Sequence, residues 1–152
     1  MDILIQAPDS TDLSAIIELQ ARALGVTRRV EDLAEELAGE HVVCRVLKSG
    51  GHRVGFMNAW VIADTIELTE IAIESSFRNR GFGRHLVRWL IDFAETAHCT
   101  RITLEVRDGN LPARGLYESF NFQLDGVRRG YYSNGEDALL YSLEISSPGG
   151  DS

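Results

Sequence analysis

The spacing of apolar residues changes along the chain, and each change marks a predicted element. A short apolar run at residues 3–5 predicts a first strand. Apolar residues then recur every three or four positions over residues 12–24 and 30–38, which predicts two helices that end at Gly25 and Gly39. The first helix is preceded by residues whose side chains commonly cap a helix, namely Ser10, Thr11 and Asp12.

The middle of the chain is rich in β-branched and apolar residues, a composition typical of strands. Three such runs occupy residues 42–47, 54–62 and 65–73. Short turn sequences, Ser49-Gly50-Gly51 and Ala63-Asp64, separate them. This spacing predicts an antiparallel meander.

In the second half of the chain, segments with helical spacing of apolar residues alternate with segments that have strand patterns. The predicted helices are residues 84–97 and 111–120, and the predicted strands are residues 101–107, 122–132 and 138–145. Asn110 is placed to cap the second of these helices, and Asn121 to adopt a left-handed conformation after it. Asn134-Gly135 predicts a tight hairpin turn between the last two strands.

This order of elements predicts the fold class. It favours one α/β domain with a mixed, mostly antiparallel sheet of about seven strands, flanked by about four helices. The domain is expected to cover residues 1–145, and residues 146–152 are expected to form a flexible tail.

Composition and charge exclude several classes of protein. The net charge of −8 argues against a nucleic-acid-binding protein. No apolar run approaches the roughly 20 residues that span a bilayer, and Met1-Asp2 is unlike a secretory signal, so we expect no membrane association. Cys44 and Cys99 do not form a disulfide framework, which favours reduced thiols and a cytoplasmic location. The histidines lack the spacing of metal ligands, so no metal is predicted.

A basic, glycine-containing loop follows the third strand of the meander. Four arginines and no acid occur between residues 75 and 91, and Gly81 and Gly83 lie among them. Backbone N–H groups at the start of a helix, together with arginines, can bind a pyrophosphate. Two interpretations remain open from these residues alone: an anion site, or a helix start that needs glycine for steric reasons. The classical Gly-x-Gly-x-x-Gly pattern is incomplete because position 86 is leucine.

The motif Arg78-x-x-Gly81-x-Gly83 resembles the acyl-CoA-binding signature of the GNAT superfamily of N-acetyltransferases. The segment 110–122 is similar to that family's Asn…Leu-Tyr…Phe helix. Within the family, Leu104-Glu105-Val106-Arg107 and Arg128-Arg129-Gly130-Tyr131-Tyr132 are most similar to the RimI type, the ribosomal-protein alanine N-acetyltransferases. The chain departs from that type at Asn121, Gly130 and Ser133.

The resemblance implies a GNAT-like fold and the transfer of acetyl from acetyl-CoA to a primary amine, with the N-terminal α-amino group of a protein as the preferred acceptor. A small-molecule amine, a lysine side chain or a non-catalytic CoA-binding module are the alternatives, and a homodimer is left open. The backbone of residues 71–73 would pair with the pantetheine arm, and residues 79–84 would hold the pyrophosphate. The implied cofactor-binding residues are Ile71, Ala72, Ile73, Arg78, Asn79, Arg80, Gly81, Phe82, Gly83, Arg84 and Asn110.

Two residues are candidates for proton transfer. An α-amino group with a pKa of about 7.7–8.0 needs only a modest base, and Glu105 is the candidate, directly or through a water. Tyr117 is the candidate acid that protonates the departing thiolate. The alternatives are an ion pair of Glu105 with Arg107 or Arg101, and a purely structural Tyr117.

Other residues of the chain leave smaller questions open. A route through an acylated cysteine is a minor alternative to direct transfer. Tyr131 and Tyr132 are expected on opposite faces of a strand, where one of them lines the amine pocket or both serve packing.

Overall fold

A computed structural model describes residues 2–146 and contains the predicted elements in the predicted order. Its strands are β1 (Ile3–Gln6), β2 (Val42–Ser49), β3 (His52–Ile62), β4 (Thr65–Ile73), β5 (Arg101–Arg107), β6 (Gln123–Arg128) and β7 (Ala138–Glu144). Its α-helices are α1 (Leu13–Leu19), α2 (Val30–Leu37), α3 (Phe82–Thr96) and α4 (Leu111–Ser119). Residues 147–152 of the predicted tail lie outside the described residues.

The seven strands follow the order β1-β2-β3-β4-β5-β7-β6 in the sheet. Pairing is antiparallel between β1 and β2, β2 and β3, β5 and β7, and β6 and β7. The predicted fold class, a single α/β domain with a mostly antiparallel sheet of seven strands and four α-helices, is therefore confirmed for residues 2–146. None of the helices in this range is long and apolar enough to cross a membrane.

The chain folds into two compact units. The first contains residues 2–61 and 68–90, which include β1, β2, all of β3 except Ile62, α1 and α2. Its apolar core forms where side chains from one face of the strands pack against buried side chains of α1 and α2. These buried residues are Ile16, Leu19, Leu33, Cys44, Val46, Phe56 and Ala72. Alternation along the strands puts every second side chain on this face, which is why Val46 and Cys44 both contribute.

The start of the first helix differs from the prediction. Asp12 occupies the N-cap position, but its side chain makes no capping hydrogen bond. Instead it is fully buried and accepts a hydrogen bond from Arg53 Nε at 2.6 Å, with Lys48 Nζ at 3.4 Å. The helix also changes character after Leu19, because Gln20–Leu24 form a π-helical turn that ends at left-handed Gly25.

Among the described residues, the second unit contains residues 62–67 and 91–146, including β5, β6, β7 and α4. Ile102, Leu104 and Val106 are buried on one face of β5, as their alternation predicts. The predicted cap of α4 is confirmed, because Asn110 Oδ1 accepts a hydrogen bond from the Ala113 amide at 3.3 Å. Asn121 has the predicted left-handed backbone, with φ of 71°.

The predicted strand over residues 122–132 is wrong at its end. β6 stops at Arg128, and residues 129–137 connect it to β7 as a loop. The predicted tight turn does occur within this loop, because the Gly135 amide donates to the Tyr132 carbonyl at 2.8 Å. Polar contacts hold this loop: the Gly130 amide donates to Asp137 Oδ1 at 2.9 Å, and the Tyr132 amide donates to the Glu136 carbonyl at 3.1 Å.

Candidate active site

The cofactor-binding segment proposed from the sequence lies in the first unit, where β4 leads into α3. A single 3₁₀ turn, Ser75–Phe77, follows β4, and α3 begins at Phe82. Between them, Asn79 and Gly81 have left-handed backbones with φ of 62° and 84°. A Cβ at Gly81 would meet no atom within 4 Å, so glycine is favoured here by backbone conformation and not by lack of space.

This loop exposes the start of α3, a helix of 15 residues. The first four N–H groups of an α-helix lack intrahelical acceptors, and the helix dipole adds partial positive charge there. Arg78, Asn79, Arg80 and Arg84 are exposed around that terminus. The loop therefore has the charge and the N–H donors that a pyrophosphate requires.

Two arginines of the loop already make contacts within the first unit. Arg78 Nε donates to the Ile73 carbonyl at 3.0 Å, which ties the loop to the end of β4. The guanidinium carbon of Arg80 lies 5.3 Å from the ring centre of Phe77 and 5.7 Å from that of Phe82. Stacking of this kind holds a guanidinium in place while its N–H donors stay available at the edge.

Phe82 has a different role from the one its place in the motif suggests. Its side chain is 3% exposed and packs edge-on against Phe77, with ring centres 5.9 Å apart. Any contact of Phe82 with a pyrophosphate would therefore use its backbone amide. The ring anchors the start of α3 in the core.

The proposed base lies in the second unit. Glu105 is exposed on β5, between the buried Leu104 and Val106 and opposite Leu140 of β7. Its carboxylate is 3.7 Å from the guanidinium of Arg128. The predicted alternative partners bind elsewhere, because Arg107 pairs with Glu136 and Arg101 with Asp125.

The proposed acid is a buried side chain of the same unit. Tyr117 is 4% exposed, and its ring centre lies 5.6 Å from that of Phe122. Burial raises the pKa of Tyr117 well above its usual range. The phenol therefore stays protonated at neutral pH, as a proton donor must. The ring also packs in the core, which is the structural role considered as the alternative.

A comparison with protein-family models identifies the chain. Residues 13–122 match the model of the acetyltransferase (GNAT) family. The chain belongs to this family. It is an acetyl-CoA-dependent N-acetyltransferase, as the resemblance of its motifs implied.

Individual GNAT proteins show the same similarity over most of their length. The ribosomal protein bS18-alanine N-acetyltransferase of Escherichia coli strain K12 is 32% identical over 145 residues, covering 93% of this chain and 97% of that protein. The N-alpha-acetyltransferase RimI of Mycobacterium tuberculosis is 36% identical over 118 residues, covering 74% and 73%. The crystal structure of the ribosomal-protein-S18-alanine N-acetyltransferase from Escherichia coli superposes with a TM-score of 0.86 at 32% identity, covering 97% of this chain and 96% of that one.

Within this GNAT domain, Tyr131 and Tyr132, to which the sequence assigned no definite role, lie in the loop beside Glu105 and its partner Arg128. The guanidinium carbon of Arg107 lies 3.8 Å from the ring centre of Tyr132, and that of Arg128 lies 5.5 Å from the ring centre of Tyr131. Burial and the nearby charge of Glu105 raise the pKa of Tyr132. The two tyrosines therefore belong to a loop next to the proposed base and not to opposite faces of a strand.

The cysteines of this GNAT domain are poorly suited to carry an acyl group. Cys44 is 5% exposed and Cys99 is 2% exposed. Burial raises the pKa of the Cys44 thiol to about 12 and also raises that of Cys99. Because the thiolate is the nucleophile, these environments favour direct transfer of the acetyl group.

Proposed function

We propose that this GNAT enzyme acetylates the N-terminal α-amino group of a protein. The observation that carries the proposal is Glu105, an exposed carboxylate on β5 with Tyr132 beside it. A carboxylate in that position can attract a cationic chain terminus and accept its proton. The names of the relatives from Escherichia coli and Mycobacterium tuberculosis, which specify an alanine of ribosomal protein bS18 and an N-alpha-acetyltransferase, support the same acceptor class.

In the proposed reaction, Glu105 takes a proton from the acceptor ammonium, directly or through a water. The neutral nitrogen then attacks the carbonyl carbon of the acetyl thioester, and the carbon–sulfur bond breaks as the amide forms. Tyr117 supplies a proton to the departing sulfur, and solvent later restores the phenol. The attacking nitrogen loses its second proton to solvent as the amide forms, and Glu105 then releases its own proton to solvent. Two protons leave the nitrogen and one reaches the sulfur, so each turnover releases one proton and returns both residues to their starting state.

The cofactor would bind through the loop after β4. Residues 79–84 would hold the pyrophosphate, with Arg78 and Arg80 adding charge, and the backbone of Ile71, Ala72 and Ile73 would pair with the pantetheine arm. The Ile73 carbonyl already accepts from Arg78, so its second lone pair would serve the arm. Asn110 would contact the cofactor through its amide nitrogen, because its oxygen caps α4.

A panel of acceptors tests this function. Peptides with a free N-terminus, the same peptides with a blocked N-terminus and an internal lysine, and polyamines would be incubated with acetyl-CoA, and the products identified by mass. We expect acetylation at the α-amino group of the free peptides. Turnover confined to lysine side chains or polyamines would contradict the proposed acceptor, and acetyl-CoA binding without any turnover would favour a regulatory module.

A further inference from the structure

A half-buried polar cluster lies in the first unit, away from the motifs that resemble the GNAT family. We call it the Glu36–Glu70 cluster, and its members are Gln20, Arg28, Glu36, Asn58, Trp60 and Glu70. Glu36 of α2 accepts hydrogen bonds from Asn58 Nδ2 at 3.0 Å and from Trp60 Nε1 at 3.1 Å, and pairs with Arg28 at 2.7 Å. Gln20 Nε2 donates to Glu70 at 2.8 Å.

Two oxygen atoms of this cluster are buried without a hydrogen-bond partner among residues 2–146. They are Gln20 Oε1 and Asn58 Oδ1, on side chains that are 0% and 3% exposed. Each belongs to an amide whose nitrogen donates to a carboxylate of the cluster, Glu70 for Gln20 and Glu36 for Asn58. A buried acceptor without a donor is energetically costly, and a ligand rich in N–H groups would supply the missing donors.

The charges of the cluster favour a cationic ligand. Its two carboxylates share one cation, Arg28, which is bonded to Glu36. Burial and the charge of Glu36 raise the pKa of Glu70, although hydrogen bonding by Gln20 and the charge of Arg28 oppose this. A second cation near Glu70 would offset both the burial of Glu70 and the repulsion from Glu36, because an opposite charge favours the ionised carboxylate.

The position of Glu70 connects the cluster to the proposed reaction. Glu70 precedes Ile71 on β4, and residues 71–73 are the segment proposed to pair with the pantetheine arm. If the arm pairs with residues 73 to 71 as proposed, residue 70 would be the next position of β4 along its path. Because one residue of a strand spans about 3.3 Å, the cluster would lie close to the thioester end of the cofactor.

We propose that the Glu36–Glu70 cluster binds the basic side chain of an arginine or lysine close to the acceptor's N-terminus. This rests on the proposed function, since it assigns a specificity to the same peptide acceptor. A reacting amine must lose a proton and direct its lone pair at the thioester. A cluster of carboxylate and amide oxygens would instead keep such a nitrogen protonated, and it therefore suits a cation that does not react.

The test compares peptides that differ only in charge. Peptides with a free N-terminus would carry arginine or citrulline at the second or third residue, since citrulline has nearly the same shape and no charge. We expect kcat/KM to be at least about tenfold higher for an arginine peptide, mostly through KM, because burying a charge opposite a carboxylate is worth this much. Equal kcat/KM for the arginine and citrulline peptides would overturn the inference and leave the proposed function intact.

Substitutions test whether the preference for an arginine peptide arises from the cluster. Glu70→Gln should bring the arginine-to-citrulline ratio close to one, with an unchanged acetyl-CoA Kd. Glu35→Gln is the matched control, because it removes the same charge from the exposed neighbour of Glu36 on α2, and it should keep the full ratio. Gln20→Met, which removes both the unpartnered oxygen and the donor to Glu70 at similar volume, should also reduce the ratio and serves if Glu70→Gln does not fold.

Two further outcomes would contradict the inference. A ratio that survives in folded Glu70→Gln and Gln20→Met variants would place the preference elsewhere. If no peptide is acetylated while polyamines or other small amines are, the proposed function fails and this inference fails with it.

Discussion

The carboxylate of Glu105 lies 3.7 Å from the guanidinium of Arg128 at the end of β6. The two side chains are 31% and 54% exposed, so the contact is a surface ion pair and contributes at most about 1 kcal/mol to stability. A pair this weak can open when a cationic acceptor arrives. Arg128 therefore does not prevent Glu105 from acting as the base.

The first prediction separates this ion pair from proton transfer. Glu105→Gln should lower kcat by about 10²-fold or more, because the amide cannot accept the proton, while the acetyl-CoA Kd stays unchanged. Arg128→Gln breaks the same contact and leaves the carboxylate, so kcat should remain within about threefold of wild type. Equal losses in the two variants, measured by steady-state kinetics, would show that Glu105 acts only as a partner of Arg128.

The second prediction concerns the hydroxyl of Tyr117. Tyr117→Phe keeps the ring against Phe122 and should lower kcat by about 10–10²-fold. Because burial raises the pKa of Tyr117 above its ordinary 10.0, the phenol stays protonated, and wild-type kcat should not fall on the alkaline side up to that pH.

Tyr141 provides the matched control for this hydroxyl. It is 2% exposed, and its hydroxyl donates to Glu118 at 2.6 Å. Tyr141→Phe should cost about 1–2 kcal/mol of unfolding free energy and leave kcat nearly unchanged. Unaltered kinetics of Tyr117→Phe would remove that phenol from the mechanism.

The third prediction uses two glycines with the same backbone conformation. Gly81 and Gly51 both have φ of 84° and open space around the Cβ position. Alanine at either position should cost about 1–2 kcal/mol of unfolding free energy through left-handed strain. Only Gly81→Ala should raise the acetyl-CoA Kd, measured by calorimetry, because it alone disturbs the loop before α3. A similar Kd for both variants would move the pyrophosphate site elsewhere.

The fourth prediction concerns Asp12, the buried acid beside α1. Burial alone would raise the pKa of Asp12, but hydrogen bonds from Arg53 and the Asp9 amide, together with Lys48, outweigh it and hold this pKa below its ordinary 3.8. Its stabilising effect is therefore present above pH 3.8 and is lost as the pH falls through the lower, folded-state pKa. Asp12→Asn should lose about 2 kcal/mol of unfolding free energy at pH 7.

Urea unfolding at a series of pH values checks this prediction. The difference between wild type and Asp12→Asn should shrink below pH 3.8, because the wild-type carboxyl is then increasingly protonated. Glu144→Gln is the control, since its carboxylate is 80% exposed and pairs with Arg101 at 3.5 Å. It should change stability by less than about 0.5 kcal/mol. A constant difference for Asp12→Asn across this range would contradict the assigned ion pairs.

Most of the fold could be predicted because its signals are local. The alternation of buried and exposed residues along Arg101–Arg107 placed β5 correctly, and Asn110 and Asn121 were placed correctly at the ends of α4. These features depend on residues within a few positions of one another, so neighbouring sequence contains the information they need. The family motif around Gly81 is likewise contained in one short segment.

The partners of the polar side chains depended on the tertiary structure. Arg53 and Asp12 are 41 positions apart, and Gln20 and Glu70 are 50 positions apart. The loop of Tyr131 and Tyr132 was mistaken for a strand, because its shape comes from Asp137, Glu136 and backbone groups that compete with strand pairing. The sequence by itself determined the elements and the family, because periodicity and short motifs act over a few residues. Only the tertiary structure decided which charges meet, because those contacts form when distant segments pack together.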